Sequence, residues 1–188
     1  METKKNTLNL LVLVPHRDIR VKLEKSAKIL IKNGLSNIYS FPLAAPLAAL
    51  SKPLSADELK AFAVCLRNIT KNDKFTSEEM GAIELSTSND DMLLHGPKLK
   101  FNLPQNVFDS LKITLPFSSS VIGVYLTSKA NKQQISDNPA SALLCEDIAF
   151  RAAAVANMCW QPIKKDNEIC FKWKIDKLFW LPKHANVS

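Results

Sequence analysis

Two alanine-rich stretches, Leu43-Ala44-Ala45-Pro46-Leu47-Ala48-Ala49-Leu50 and Ala152-Ala153-Ala154-Val155-Ala156, decide the fold prediction for this chain. We call them the first and second alanine runs. Continuous apolar stretches of this length are typical of strands that are covered on both faces. We therefore predict that both runs are central strands and that they are adjacent in the sheet. Methyl groups neither transfer protons nor bind anions, so the runs argue against catalysis where they lie.

The elements around the first alanine run alternate between strand and helix patterns. Leu8 to Val14 is a near-continuous apolar run, as expected of a buried strand. Residues 18–33 have apolar side chains at helical spacing with Lys and Arg between them, and Gly34 follows as a stop signal. Ser55 and Glu58 form a capping-box pattern, which predicts a second helix from there to about Thr70.

The rest of the chain is predicted to be rich in strands. Strand patterns cover 82–86, 92–101, 113–117 and 121–127, and helical patterns cover 105–111 and 139–150. Residues 169–181 form either one strand with a solvated face or two strands broken near Asp176. The order of elements in the second half repeats that of the first. We predict a single α+β domain of two similar lobes, about 1–100 with the terminal strand and 101–188. Each lobe is an antiparallel-rich sheet with helices outside, and the lobes enclose a central cleft.

Composition sets broad limits on function. The 188 residues carry a formal charge of +7 and are 46% hydrophobic, which fits a globular protein with anionic partners such as RNA or a nucleotide. The four cysteines have no Cys-x-x-Cys spacing, so we expect no metal, no cofactor and reduced thiols in a cytoplasmic protein. No stretch approaches membrane-spanning length, so we expect no membrane contact.

The segments at both ends of this layout carry a resemblance to a known superfamily. The first portion ends in Leu50-Ser51-Lys52-Pro53-Leu54-Ser55-Ala56-Asp57-Glu58-Leu59, and the last ends in Phe179-Trp180-Leu181-Pro182. This order resembles the two-histidine phosphoesterase superfamily, which includes the 2′-5′ RNA ligase-like and cyclic phosphodiesterase proteins. The resemblance implies two His-x-Thr/Ser dyads facing each other across a cleft, one histidine acting as general base and the other as general acid.

This chain lacks both dyads. The resemblance places the first dyad at Ala45 and Leu47 and the second at Ala152 and Ala154, and neither alanine run contains a histidine or a threonine. We therefore predict a degenerate member, inactive as a phosphodiesterase and retained for binding RNA, a nucleotide or a protein. A scaffold protein with no small ligand is a further possibility.

The alternative is an enzyme with a non-standard site around His95 or Cys159. His95 precedes Gly96-Pro97, a pattern typical of a hairpin bend, and His16 follows Pro15 at a strand end. Either histidine is a possible ligand contact. A solvated loop position is the simpler interpretation of His16, as a bend is of His95. No base lies near Cys159 in the sequence.

The segment from Lys164 to Lys183 allows two interpretations. Between Lys164 and Lys183 there are six lysines and three acids, with four aromatic residues among them: Phe171, Trp173, Phe179 and Trp180. Lysines and exposed aromatics together suit single-stranded RNA. The alternation of Phe171 and Trp173 with Lys172 and Lys174 favours aromatics facing the core and lysines facing solvent.

Overall fold

The computed structural model describes residues 7–32, 38–69, 75–77, 80–86, 91–99, 105–113, 115–118, 120–128, 148–150, 152–165 and 168–181. The helices are α1 (Arg17–Lys32), α2 (Ala56–Ile69) and α3 (Gln105–Ser110). The strands are β1 (Leu8–Pro15), β2 (Ile38–Leu50), β3 (Phe75–Ser77), β4 (Met80–Ser86), β5 (Asp91–Leu99), β6 (Leu115–Pro116), β7 (Ser120–Val121), β8 (Gly123–Ser128), β9 (Ile148–Phe150), β10 (Ala152–Lys165) and β11 (Glu168–Trp180).

Most of these strands belong to one antiparallel sheet. Its order is β11-β10-β1-β2-β8-β5-β4, with β6 paired to β2 and β7 paired to β5, while β3 and β9 form a separate pair. The first alanine run lies in β2 and the second in β10. Both are central strands, as predicted.

The sheet bends at β2, where the pairing changes partner. Residues 45–50 of β2 pair with β1, whereas residues 38–40 and Ala44 pair with β8, and the register with β8 is irregular between Ser40 and Ala44. Three strand spacings, about 14 Å in a flat sheet, separate β2 from β11. The rings of Phe41 in β2 and Trp173 in β11 nevertheless lie 4.5 Å apart, centroid to centroid. These two rings therefore bring the edge strand β11 into contact with β2 on this face of the sheet.

The two faces of the sheet have different cores. On one face the helices supply apolar side chains, including Leu23 of α1, Phe62 of α2 and Phe108 of α3, and these pack on the strands. We call this the helix-side core. On the other face the described members of the core all lie on or beside strands. We call this core the apolar seam; its central members are Val12, Phe41, Ala44, Ala154, Ala156 and Trp160.

The α+β class and the antiparallel sheet are confirmed, as are α1, α2, α3 and the final strand. Residues 148–150, predicted to end a helix, instead form β9, because they pair with β3. The remainder of that predicted helix, at 139–147, lies outside the described residues. The two similar lobes and the cleft between them stay predictions.

Candidate functional site

The four positions that the resemblance assigns to catalytic dyads carry apolar side chains in the interior. Ala45 and Ala154 are 0% exposed, Leu47 is 4% exposed, and Ala152 is half-buried. Ala45 and Leu47 pack in the helix-side core with residues of α1 and α2. Even with polar residues at these places, a substrate could reach them only if the helices moved away.

The second pair of positions does not share a face of the sheet. Ala154 belongs to the apolar seam, whereas Ala152 packs against the helix-side core. The cause is an irregularity in the pairing with β1, where Val14 lies opposite Ala154 but Pro15 lies opposite Ala152. The extra residue in β10 reverses the usual alternation of side chains.

The expectation that the two alanine runs are adjacent is wrong. Strand β1 lies between them, and Leu13 pairs with Ala45 on one side and with Val155 on the other. Two strand spacings, about 10 Å, therefore separate the runs. The run at 8–14 is apolar on both of its faces, which suits the middle position, where both faces of the strand are covered.

The apolar seam fills the space over the central strands on the face without helices. The indole rings of Trp160 and Trp173 stack 5.6 Å apart at 14°, and Trp173 also meets the edge of Phe41. Ala44 and Ala156 are 2% and 0% exposed beneath them. Apart from the buried indole N–H groups of Trp160 and Trp173, the side chains named here are hydrocarbon.

His95 lies within β5 rather than at a hairpin bend, so that prediction is wrong. His95 pairs with Ala82, and the strand continues through Gly96 and Pro97. Glycine is required at position 96 because a Cβ atom there would clash with the carbonyl oxygen of Ile122. That close approach explains why a glycine follows His95 although the chain does not turn there.

The side chain of His95 contacts two side chains of β8 that carry hydroxyl groups. Its Nε2 lies 2.9 Å from Oγ1 of Thr127, and its ring stacks on Tyr125 at 4.9 Å and 13°. Burial raises the pKa of Tyr125 to about 12. Thr127 is 0% exposed, so its hydroxyl is enclosed by protein.

His16 marks the start of α1. Its carbonyl oxygen accepts hydrogen bonds from the backbone N–H groups of Ile19 and Arg20, at 3.1 and 3.2 Å. Its Nδ1 lies 3.0 Å from a carboxylate oxygen of Asp18. His16 follows β1, whereas His95 lies in β5, and β2 and β8 come between these strands in the sheet.

Cys159 is poorly suited to nucleophilic chemistry. Its side chain is half-buried in β10, on the strand position opposite Lys174. Burial raises the pKa of the Cys159 thiol, and the nearby Asp176 carboxylate raises it further, while Lys174 opposes the shift. A thiol with a raised pKa remains protonated at neutral pH and reacts slowly.

Sequence reasoning missed the structural role of Asn157. This side chain is 2% exposed. Its Nδ2 donates to the carbonyl oxygen of Leu54 at 2.7 Å, and the N–H of Leu54 donates to its Oδ1 at 3.3 Å. The amide thus joins β10 to the segment that leads into α2. The sequence signal for this role was a single asparagine within an otherwise apolar strand.

Comparison with known proteins gives no relative. No family model, no curated protein and no solved structure matches the chain. Within the described residues, no three His, Cys, Asp or Glu side chains are grouped so that they could hold a metal ion. In the same part of the chain, no helix has the length and apolar character needed to cross a membrane.

Proposed function

We propose that this protein is a non-catalytic binding protein. The observation that carries the proposal is the contact of Phe41 with Trp173 across the apolar seam, at 4.5 Å. Together with the burial of Ala44 and Ala156, this contact supports the interpretation that the face is filled with apolar side chains and is not a polar catalytic cleft. Such packing stabilises the fold but offers neither a proton donor nor an anion site.

A relationship to the two-histidine phosphoesterase superfamily is part of this proposal. The order of elements through α2 and the central position of both alanine runs support it. The position of β1 between the two alanine runs counts against the relationship itself, because adjacent runs were expected of that fold. The opposite faces of Ala152 and Ala154 count against a simple correspondence of motif positions. The non-catalytic assignment therefore depends on burial and side-chain chemistry, which do not need that correspondence.

The competing function is an enzyme that uses His95. An imidazole within hydrogen-bond distance of a hydroxyl is the arrangement that activates a nucleophile, and His95 and Thr127 meet that condition at 2.9 Å. The Thr127 hydroxyl, however, is fully buried. It could attack a substrate only after the groups that cover this face of the sheet moved away.

Hydrolysis of phosphodiesters tests the choice between these functions. The purified chain is incubated with 2′,3′-cyclic nucleotides and with a 2′,5′-linked dinucleotide, beside the His95→Ala and Thr127→Val variants. We expect no turnover above buffer for any of the three proteins. Turnover by the wild-type chain that both variants lose would overturn the proposal and support the enzyme. Turnover that both variants retain would also overturn it, through a different site.

A further inference from the structure

Strand β11 forms an edge of the large sheet. Among the residues that the structure describes, it pairs with β10 on one side only. It contains 13 residues, which is roughly 40 Å of extended backbone. The N–H and C=O groups along the outer side of such a strand can pair with another extended chain.

The two faces of β11 differ in chemistry. Lys174 and Lys177 lie opposite Cys159 and Asn157, and Asn157 points toward α2, so these lysines are on the helix side of the sheet. They are exposed, as is Lys172. The lysines therefore lie in a row along one face of the edge strand, and the Asp176 carboxylate, 4.0 Å from Nζ of Lys174, balances part of the positive charge of this row.

The other face of β11 exposes apolar side chains. Ile175 lies opposite Met158 and Trp180 lies opposite Ala154, both of which belong to the apolar seam. Ile175 is 45% exposed and Trp180 is 67% exposed. Large apolar side chains with this exposure at a sheet edge favour a partner that covers them.

We propose that the edge of β11 binds an extended acidic segment of a partner protein by strand addition. This inference rests on the proposed binding function and names the surface and the partner chemistry. Asp176 is an extra residue in β11, where the register with β10 is irregular, so the alternation of side chains is interrupted there. On either side of Asp176, alternate side chains of a strand paired to β11 face the lysine row and the remainder face Ile175 and Trp180. The segment that fits best therefore alternates acidic with apolar residues.

Two other occupants fit this edge less well. A second copy of the chain, paired through its own β11, would bring the lysine rows together, and like charges across strands are destabilising. RNA needs several accessible rings for base stacking. Trp173 is unsuited to that role because it is engaged with Trp160 and Phe41, whereas the ring of Trp180 is 67% exposed.

A designed peptide tests the proposal. The probe is a capped, fluorescein-labelled decapeptide of alternating glutamate and valine, and binding is followed by fluorescence anisotropy at low salt. One control peptide replaces glutamate with lysine, and another has a methyl group on every backbone nitrogen, so that neither of its edges can donate a hydrogen bond. We expect the glutamate peptide to bind at least about tenfold more tightly than either control, since one loses charge complementarity and the other loses backbone hydrogen bonds.

Variants of the protein locate the binding surface. The double variant Lys174→Glu/Lys177→Glu is compared with Lys28→Glu/Lys60→Glu, which makes the same charge change at exposed positions of α1 and α2. We expect about tenfold weaker binding for the first and less than about twofold for the second. Trp180→Ala should weaken binding without changing the charge, and circular dichroism confirms that each variant is folded.

The outcomes separate this inference from the function it rests on. Equal affinity for the glutamate peptide and its N-methylated form, or equal loss in both double variants, would overturn strand addition at β11. Tight binding of single-stranded oligouridylate that depends on Lys174, with no peptide binding, would replace the peptide with RNA. In each case the phosphodiesterase assay would still decide whether the protein is catalytic.

Discussion

The side chain of Asn157 forms two hydrogen bonds with the backbone of Leu54, accepting from its N–H and donating to its carbonyl oxygen. The two residues are 103 positions apart in sequence. One amide side chain therefore satisfies both backbone groups of a buried residue at the approach to α2. This link fastens the strand of the second alanine run to the helix that follows the first.

Replacing Asn157 with leucine should destabilise the fold. The Leu54 N–H and C=O would remain buried without partners, and each unsatisfied group costs about 1–3 kcal/mol. We expect the free energy of unfolding in urea to fall by about 2–4 kcal/mol. Asn106→Leu, at an exposed position of α3, is the control and should change it by less than about 0.5 kcal/mol. Equal effects of the two substitutions would show that the link is unimportant.

Introducing a histidine at Ala45 should disrupt packing and restore no activity. The site is 0% exposed in the helix-side core, so an imidazole there both overpacks the interior and buries polar atoms. We expect Ala45→His to lower the free energy of unfolding by about 2 kcal/mol or more. Ala61→His, on the exposed surface of α2, should have little effect. A stable Ala45→His protein would indicate an open site at this position.

The start of α2 should respond to acid. Ser55 Oγ accepts from the N–H of Glu58, and the N–H of Ser55 donates to the Glu58 carboxylate at 2.7 Å. That backbone hydrogen bond is the largest of the causes that lower the pKa of Glu58. A lowered folded-state pKa adds stability above the unfolded-state pKa, and this stability is lost as pH falls through the folded value.

Two variants measure how much the capping box contributes to the free energy of unfolding. Glu58→Gln should lose less stability than the wild type when urea unfolding is repeated at acidic pH, because it has no carboxylate to protonate. Ser55→Ala should lower the free energy of unfolding at neutral pH by about 1 kcal/mol. Identical acid profiles for the wild type and Glu58→Gln would contradict this account.

Tyr125 should make the fold sensitive to alkali. Burial raises its pKa to about 12 in the folded state, above its ordinary value of 10.0. The unfolded chain then loses this proton first, so the contribution to stability is complete below about pH 10 and is lost as pH rises toward 12. Unfolding of the wild type and Tyr125→Phe at pH 9 and pH 11 compares the slopes. Phenylalanine should flatten the pH dependence, and parallel slopes would rule out a buried, neutral Tyr125.

The sequence predicted the parts of this fold that depend on local pattern. The capping box at Ser55 and Glu58 gave the start of α2, and the apolar alternation gave β11. The arrangement of the central strands depends on long-range pairing, which periodicity does not contain. Insertion of β1 between the alanine runs and the contact of Phe41 with Trp173 both follow from that pairing.

Two local interpretations of the sequence differ from the structure for a related reason. The resemblance assigned Ala152 and Ala154 to one dyad, but the irregular pairing with β1 places them on opposite faces. His-Gly-Pro was interpreted as a bend because glycine is common in turns. Glycine is needed at position 96 because the carbonyl oxygen of Ile122 approaches it closely. Residues near position 96 in the sequence do not reveal this contact.

Thiol labelling at the apolar seam tests the central claim most directly. Ala156→Cys places a small thiol at a position that is 0% exposed, and Ala82→Cys places one at an exposed position of β4. Both proteins are treated with iodoacetamide under native conditions, and site-resolved mass spectrometry follows each cysteine. We predict that Cys at position 156 reacts about 100-fold or more slowly than Cys at position 82, because reaction requires the seam to open. Comparable rates at the two positions would show an open cleft over the central strands and contradict the account.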